Sequence, residues 1–577
     1  MDISKKTGRR LSACLFLAAV FGFLLAGMRW GLPSVMVNKL YFRENSEIER
    51  HTKILEEYSL NEAWKGFGVY LSAHPEESER KLERSSYNPI RSYHPDEYFV
   101  IKSLATMKPG KFNFNPHQFA VGGAYLYPVG GLIFALSKLG IITLVPDINY
   151  YFYHPDEMAK FYVVGRSITA IYGAGIILLV FLLLAKLTSR KWQSFAGAFL
   201  LMFTPLMLLN SLYMYVDIPG MFWIMASLYA TVLFMEKFSF RRVLLAGVFA
   251  GLACGTKVTF AVSFFVPAMG MFLLWGGWKK FIKGVCLAFG GFFGVFAVTN
   301  PYFLITFPAP LIELGQHTEK IFSGTFYLKS LLYGLGMPLF LSCLTGILIA
   351  AILLKRQDAG TRKTIILLMS WTLFFFVFIS LFAKNFARYI LPAVPSFVML
   401  GCIGWFGLYE KARLAYRKIL SGLFIVVVLW TSFYGMSYKM LFLEENTRTE
   451  AGIWIKKNIP AGSSIGVTEV PWQFQMPPFD YYKYKVVVTG YDFGKTKTEN
   501  SDYFILSSFQ AEIPPYPLKL QTERVAFWNE FISSELYAEE KVFRKFPHFL
   551  GLTFRPEVLP EDLIYLNPAI AIFKRNL

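Results

Sequence analysis

Cysteine and charge are both scarce in this chain, and each scarcity excludes something. Five of the 577 residues are cysteine, at Cys14, Cys254, Cys286, Cys343 and Cys402, and all five lie inside apolar runs, where a thiol behaves as a small hydrophobe. The polar segments hold none, so neither a disulfide framework nor a CxxC metal site can form there. Charged residues make up 17% of the chain, against about a quarter in a soluble globular domain. Internal repeats and low-complexity linkers are missing as well.

What is present is apolar: 54% of residues are hydrophobic and 18% aromatic. Runs of roughly twenty apolar residues recur, as crossing a ~30 Å hydrocarbon layer requires. Candidate spans are 11–31, 164–187, 193–212, 219–235, 242–258, 259–276, 282–300, 328–354, 364–382, 388–408 and 419–438. The first follows Lys5, Lys6, Arg9 and Arg10 and exceeds the ~7–15 apolar residues of a cleavable signal peptide, so it is expected to stay as a span.

The net charge of +19 suggests nucleic acid until its distribution is considered. With the N-terminus in the cytoplasm, every inner segment is a basic cluster: Lys5/Lys6/Arg9/Arg10, Lys186/Arg190/Lys191, Lys237/Arg241/Arg242, Lys279/Lys280/Lys283, Lys355/Arg356/Arg362/Lys363 and Lys411/Arg413/Arg417/Lys418. That is the positive-inside pattern, so the charge reports topology and nucleic acid is not an expected partner. One further apolar stretch, 122–142, contains Gly122-Gly123, Pro128 and Gly130-Gly131, poor material for a straight span. Were it to cross, every later cluster would move outside. It is therefore expected to lie against the interface, within the first outer loop.

The expected architecture is an all-α polytopic membrane domain over 1–442, with a large first outer loop at 32–163, then a small outer α/β domain over 443–577. The tail supports the second part, with a helix at Thr447–Asn458, the turn Pro460-Ala461-Gly462, and β-like runs at 464–467, 485–489 and 503–506. All seven histidines (His51, His74, His94, His117, His154, His317 and His548) fall outside the spans, for which avoidance of lipid is sufficient reason.

Three groups of residues could carry chemistry. The first outer loop contains Tyr93-His94-Pro95-Asp96-Glu97, Asn115-Pro116-His117 and Gly123-Ala124-Tyr125-Leu126-Tyr127-Pro128. A carboxylate there could accept a hydroxyl proton, yet Pro followed by acids is also a common helix start. His154-Pro155-Asp156-Glu157 repeats the same four letters. The second group is Asp217, in Tyr215-Val216-Asp217-Ile218-Pro219 at an outer junction of two spans; ionisable residues at membrane depth are functional by default, although an outer-turn cap explains it equally. The third is a set of outer cations, Arg166, Lys257 and Arg388, suited to a phosphate or to snorkelling.

In this order the pieces resemble the C-type (GT-C) integral membrane glycosyltransferases, above all the family 39 protein O-mannosyltransferases and the lipid A aminoarabinose transferase. Carrying the likeness are Asp96-Glu97, the Gly123-to-Pro128 segment, Val164-Gly165-Arg166, Asp217-Ile218-Pro219, Gly251-Leu252-Ala253-Cys254-Gly255-Thr256-Lys257, Arg388-Tyr389-Ile390-Leu391-Pro392 and Ala451-Gly452-Ile453-Trp454-Ile455. It covers most of the chain.

The apolar runs give about eleven spans, and the resemblance implies a donor sugar carried on a polyprenyl phosphate. It implies Asp96 as general base for an acceptor hydroxyl that attacks the anomeric carbon with inversion. Glu97 and Asp217 would support it; Arg166, Lys257 and Arg388 would hold the donor phosphate; His94, His117 and Tyr125 would contact substrate. A divalent cation is the one cofactor it allows. The expected location is a bacterial inner (plasma) membrane, with acceptor chemistry on its outer face. Two departures stand out: the polar insertion at 41–92, and Gly122-Gly123 where relatives often carry Pro-Pro or a nearby Lys. The rival readings are a multi-span transporter and a non-catalytic scaffold in cell-surface glycan assembly.

Overall fold

The computed structural model describes residues 17–52, 90–315, 322–382, 386–469, 471–511, 518–556 and 559–576. The N-terminal basic cluster, Cys14, most of the 41–92 insertion, His74 and His317 lie outside them. Among the described residues, seven helices are long and apolar enough to cross a membrane: Pro155–Leu187, Asp217–Glu236, Trp278–Thr299, Met337–Arg356, Ala359–Ser380, Ala387–Lys411 and the one that begins at Leu414.

The other expected spans occur as shorter or interrupted helices, for local reasons. The 193–212 run divides into Lys191–Met202 and Pro205–Asn210, because Pro205 lacks an N–H and holds Thr204 extended. Thr204 caps the second piece through its hydroxyl, which accepts the Met207 N–H. The 242–258 run is the 17-residue helix Phe240–Thr256. The 259–276 run enters as a 3-10 turn, Val258–Phe264, before Phe265–Leu273. The 328–354 run breaks at Gly336, whose φ of +80° suits a residue without Cβ. The 11–31 run, described from residue 17, is helical to 25 and then turns.

The 122–142 stretch forms a helix, Gly123–Lys138, of 16 residues, roughly 24 Å at 1.5 Å per residue, which is shorter than the ~30 Å layer. Leu132 and Phe134 on it, and Leu139 just after it, are exposed.

The largest apolar core of the membrane helices includes Trp371, Leu184, Met221 and Tyr327. Trp371 is fully buried, and its indole N–H donates to the Pro392 carbonyl at 3.0 Å. That bond satisfies the one polar atom of a side chain this large and fixes the Ala387–Ala393 turn against the Ala359–Ser380 helix.

The small C-terminal domain carries a five-stranded sheet in the order β2 (Lys485–Val488), β1 (Ser464–Val467), β3 (Tyr503–Ser507), β7 (Ile570–Arg575), β4 (Tyr537–Phe543). Strands β1, β2 and β3 are parallel. Strand β7 runs antiparallel between β3 and β4. The three runs expected from the sequence are β1, β2 and β3. Strand β4, rich in Glu and Lys, is an edge strand whose charges discourage further pairing. A hairpin of β5 (His548–Phe549) and β6 (Leu552–Thr553) lies against the Leu414–Leu443 helix, with Phe549 on Phe433 and Phe554 on Trp430 and Tyr434.

Candidate active site

Four ionisable residues from four helix termini or turns meet in one chain of ion pairs. Asp96 is the residue before the Glu97–Thr106 helix, and Asp217 opens Asp217–Glu236. Both carboxylates thus sit at the positive end of a helix dipole. Lys257 ends Phe240–Thr256, at the negative end, and Arg388 lies in the Ala387–Ala393 turn. Arg388 Nη2 is 2.6 Å from Asp96 Oδ2, and its Nε is 3.4 Å from Asp217 Oδ2. Lys257 Nζ donates to Asp217 Oδ1 at 2.7 Å. The side chains are 16% (Asp96), 5% (Arg388), 4% (Asp217) and 14% (Lys257) exposed. Asp96 and Lys257 are therefore the two that open outward.

The chain is electrically balanced but incompletely bonded. Arg388 Nη1 and Nε have no hydrogen-bond partner among the described residues, since the contact with Asp217 is an ion pair without hydrogen-bond geometry. A buried guanidinium with two unbonded nitrogens has capacity for an anion presenting several oxygens. Aromatic faces hold it: Phe386 lies 4.4 Å from its Cζ, and Tyr389 lies 4.4 Å from Lys257 Nζ.

Glu97 and Arg166 form a separate, fully buried pair. Arg166 Nε and Nη2 donate to the two Glu97 oxygens at 2.8 and 2.7 Å, and both side chains are 0% exposed. Arg166 Nη1 donates to the Met28 and Trp30 carbonyls. Glu97 also accepts the Met214 N–H at 2.7 Å and the Ser92 hydroxyl. These groups face one another, so the pair joins the end of the first span, the start of the Glu97–Thr106 helix and the Pro155–Leu187 helix.

The two His-Pro-Asp-Glu copies separate cleanly. In the second, Pro155 opens a helix, Asp156 is exposed and Glu157 pairs with the neighbouring Lys160, which is the helix-start arrangement. In the first, Asp96 and Glu97 reach cations 292 and 69 positions away in sequence.

His94 is buried, its ring 4.1 Å from that of Tyr213, and its Nδ1 accepts the Asp96 N–H at 3.3 Å. Burial, followed by the repulsion of Arg388, Arg166 and Arg448, holds it well below the usual histidine range. It is a neutral group that orders the backbone at Asp96. Tyr125 is also buried, bonded to Gly165 O and Thr169 Oγ1 on the Pro155–Leu187 helix. His117 lies in an exposed turn, its N–H donating to Asn115 Oδ1.

Gly122-Gly123 has a steric explanation. The Gly122 N–H donates to the Thr256 carbonyl at 2.9 Å and the Gly123 N–H to Asn300 Oδ1 at 2.9 Å. A Cβ at either residue would overlap the carbonyl oxygen of Gly255 or of Thr299. The pair lets this helix abut the residues immediately before Lys257.

Two residues of this region gave no signal in the sequence. Asp562, in Pro560-Glu561-Asp562, reads as another helix start, yet its carboxylate accepts the Ala387 and Arg388 N–H groups at 2.9 and 2.8 Å. Arg448 sits in a polar helix beginning, yet it is fully buried and donates to the Phe474 and Tyr565 carbonyls.

A divalent cation does not fit this donor set. Among the described residues no three His, Cys, Asp or Glu side chains are grouped to hold a metal, and the carboxylates of Asp96 and Asp217 face a guanidinium and an ammonium.

The family described as dolichyl-phosphate-mannose-protein mannosyltransferase matches residues 139–311 of the chain, in line with the resemblance read from the sequence. No curated protein matches it. The fold is similar to that of ArnT from Cupriavidus metallidurans bound to undecaprenyl phosphate, at 11% identity over 97% of each chain with a TM-score of 0.41. It is also similar to the oligosaccharyltransferase AglB from Archaeoglobus fulgidus in complex with an inhibitory peptide and a dolichol-phosphate, at 14% identity over 78% of this chain and 69% of that one, TM-score 0.39. A third likeness is the arabinofuranosyltransferase AftD from Mycobacteria, at 12% identity over 79% of this chain and 35% of that one, TM-score 0.38.

Proposed function

We propose that this protein is an inverting glycosyltransferase that moves a sugar from a polyprenyl-phosphate donor to an acceptor at the outer face of a membrane. The observation that carries the reading is the position of Arg388, between the carboxylates of Asp96 and Asp217 and beside Lys257. The match over residues 139–311 to a family named for a lipid-phosphate-linked sugar supports the donor class. The basic clusters of the sequence support a cytoplasmic N-terminus and an extracytoplasmic site.

Asp96 is the general base. It takes the proton of the acceptor hydroxyl as that oxygen attacks the anomeric carbon from the face opposite the phosphate. The bond between anomeric carbon and phosphate oxygen breaks, and its electron pair leaves with the lipid phosphate. A singly charged phosphodiester thereby becomes a doubly charged monoester, so cations fixed beside it stabilise the transition state more than the ground state. Lys257 and Arg388 supply them. Arg388 also couples the two halves of the reaction: a donor phosphate that draws the guanidinium to itself releases the Asp96 carboxylate from its ion pair, leaving it free to accept the hydrogen bond of the acceptor hydroxyl. Arg166, with its N–H groups engaged by Glu97 and the Met28 and Trp30 carbonyls, acts by fixing Glu97 and hence the start of the helix beside Asp96.

The test is sugar transfer by the purified protein in lipid, with a panel of polyprenyl-phosphate sugars, for wild type beside Asp96→Asn with melting checked. Transfer or donor hydrolysis lost in a well-folded variant supports the reading. Equal activity in both moves the base to another residue, and no transfer with any donor favours a scaffold or a transporter.

A further inference from the structure

Resting on that reading, we infer that Asp562 is a positioning residue for Arg388, through which the C-terminal domain sets the geometry of the phosphate site. Asp562 lies in the short Glu561–Ile564 helix of that domain and is 6% exposed. Its Oδ1 accepts the Ala387 N–H at 2.9 Å and its Oδ2 the Arg388 N–H at 2.8 Å. These N–H groups start a 3-10 turn and have no earlier carbonyl of that turn to meet. The carboxylate supplies both acceptors at once, as a cap does, except that it comes from a residue 174 positions along the chain. With the backbone of Arg388 fixed at the amide, the guanidinium is delivered between Asp96 and Asp217.

The same segment also grips the other side of the site. The Tyr565 ring meets the His94 ring edge-on at 5.6 Å, and the Tyr565 carbonyl accepts from Arg448 at 2.7 Å. The Arg448 guanidinium lies 4.4 Å from the centre of the Tyr93 ring, and the Tyr93 hydroxyl bonds Thr449 Oγ1 at 2.9 Å. Residues 562–566 therefore bracket the active site, with Arg388 on one side and the Tyr93 and His94 rings on the other. The five strands of the sheet contain no member of the ion-pair chain, so the domain acts on that chain through these contacts.

The experiment compares full-length wild type, Asp562→Asn and Arg388→Ala, together with the double variant, in detergent micelles. Amide hydrogen exchange is read at Ala387 and Arg388, and binding of undecaprenyl phosphate is titrated. An amide keeps one acceptor oxygen but presents N–H to the second backbone donor, so Asp562→Asn is expected to speed exchange at these two amides by at least about tenfold and weaken undecaprenyl phosphate binding by about tenfold, one lost hydrogen bond to a charged group being of that order. In the Arg388→Ala background the Asn substitution should weaken binding no further, the signature of action through Arg388. Unchanged exchange overturns the inference, as does equal weakening in both backgrounds, which would mark a general structural role. A wild type that binds no undecaprenyl phosphate sinks the glycosyltransferase reading instead, and exchange alone then decides whether Asp562 holds the turn.

Discussion

Arg388 lies 2.6 Å from the Asp96 carboxylate, so the residue proposed to hold the donor phosphate is also the counter-ion of the proposed base. The two functions are thereby opposed at rest, and substitutions at the two positions should have opposite effects on donor binding.

Asp96→Asn should lower transfer by about 10²–10⁴-fold, the usual contribution of a general base, while donor affinity stays the same or rises because the guanidinium has lost a competitor. Single-turnover transfer and donor titration separate the two. A donor affinity that falls tenfold would contradict the assignment.

Lys257→Ala and Arg388→Ala should each weaken donor binding by about 10–100-fold, in line with about 1.5–3 kcal/mol for a hydrogen bond to a charged group. Lys257→Arg should retain part of the binding, since charge is kept but reach and geometry change. Titration of a non-transferable donor measures the effect without the chemical step.

Glu97→Gln should act on stability first. It leaves Arg166 buried without its counter-ion, which costs about 3–5 kcal/mol when one partner of a buried pair is removed. Replacing both residues together with apolar ones of similar size should recover much of that loss. Unfolding of the purified protein followed by intrinsic fluorescence reports it; a Glu97→Gln variant as stable as wild type would remove Glu97 and Arg166 from their proposed supporting role.

His94 predicts a pH dependence of stability. Its folded pKa is depressed by burial and by nearby arginines, so on acidification the unfolded chain takes up the proton first, near pH 6.5. Stability should fall by about 1.4 kcal/mol per pH unit as pH drops below that value, until the folded-state pKa is reached. Melting curves between pH 7.5 and 5 should be flatter in acid for His94→Asn, which keeps an acceptor for the Asp96 N–H but has no proton to gain.

The helical architecture and the first three parallel strands were legible because they are written as local patterns: apolar runs, basic clusters and short β-rich segments. Interruptions at Pro205 and Gly336 were less so, since a twenty-residue hydropathy window averages across one residue. The ionisable residues could be picked out singly, but their pairing could not: Asp96 and Arg388 are joined only by folding, and nothing local in Pro560-Glu561-Asp562 announces a bond to residues 387 and 388. The repeated His-Pro-Asp-Glu makes the same point from one chain. Identical letters yield a plain helix start at Pro155 and an ion-pair junction at Asp96 and Glu97 because only the first copy folds against Arg166 and Arg388.

The length of the Pro155–Leu187 helix serves as a depth gauge. Arg166 stands 21 residues before its C-terminal end, roughly 32 Å along the axis at 1.5 Å per residue, which matches the ~30 Å thickness of the hydrocarbon layer. If Leu187 marks the inner boundary of the oil, Arg166 and the carboxylate it grips stand level with the outer one. A lipid phosphate resting in its own headgroup plane would then meet the site at its natural height, and the enzyme would have no need to lift the carrier out of the bilayer.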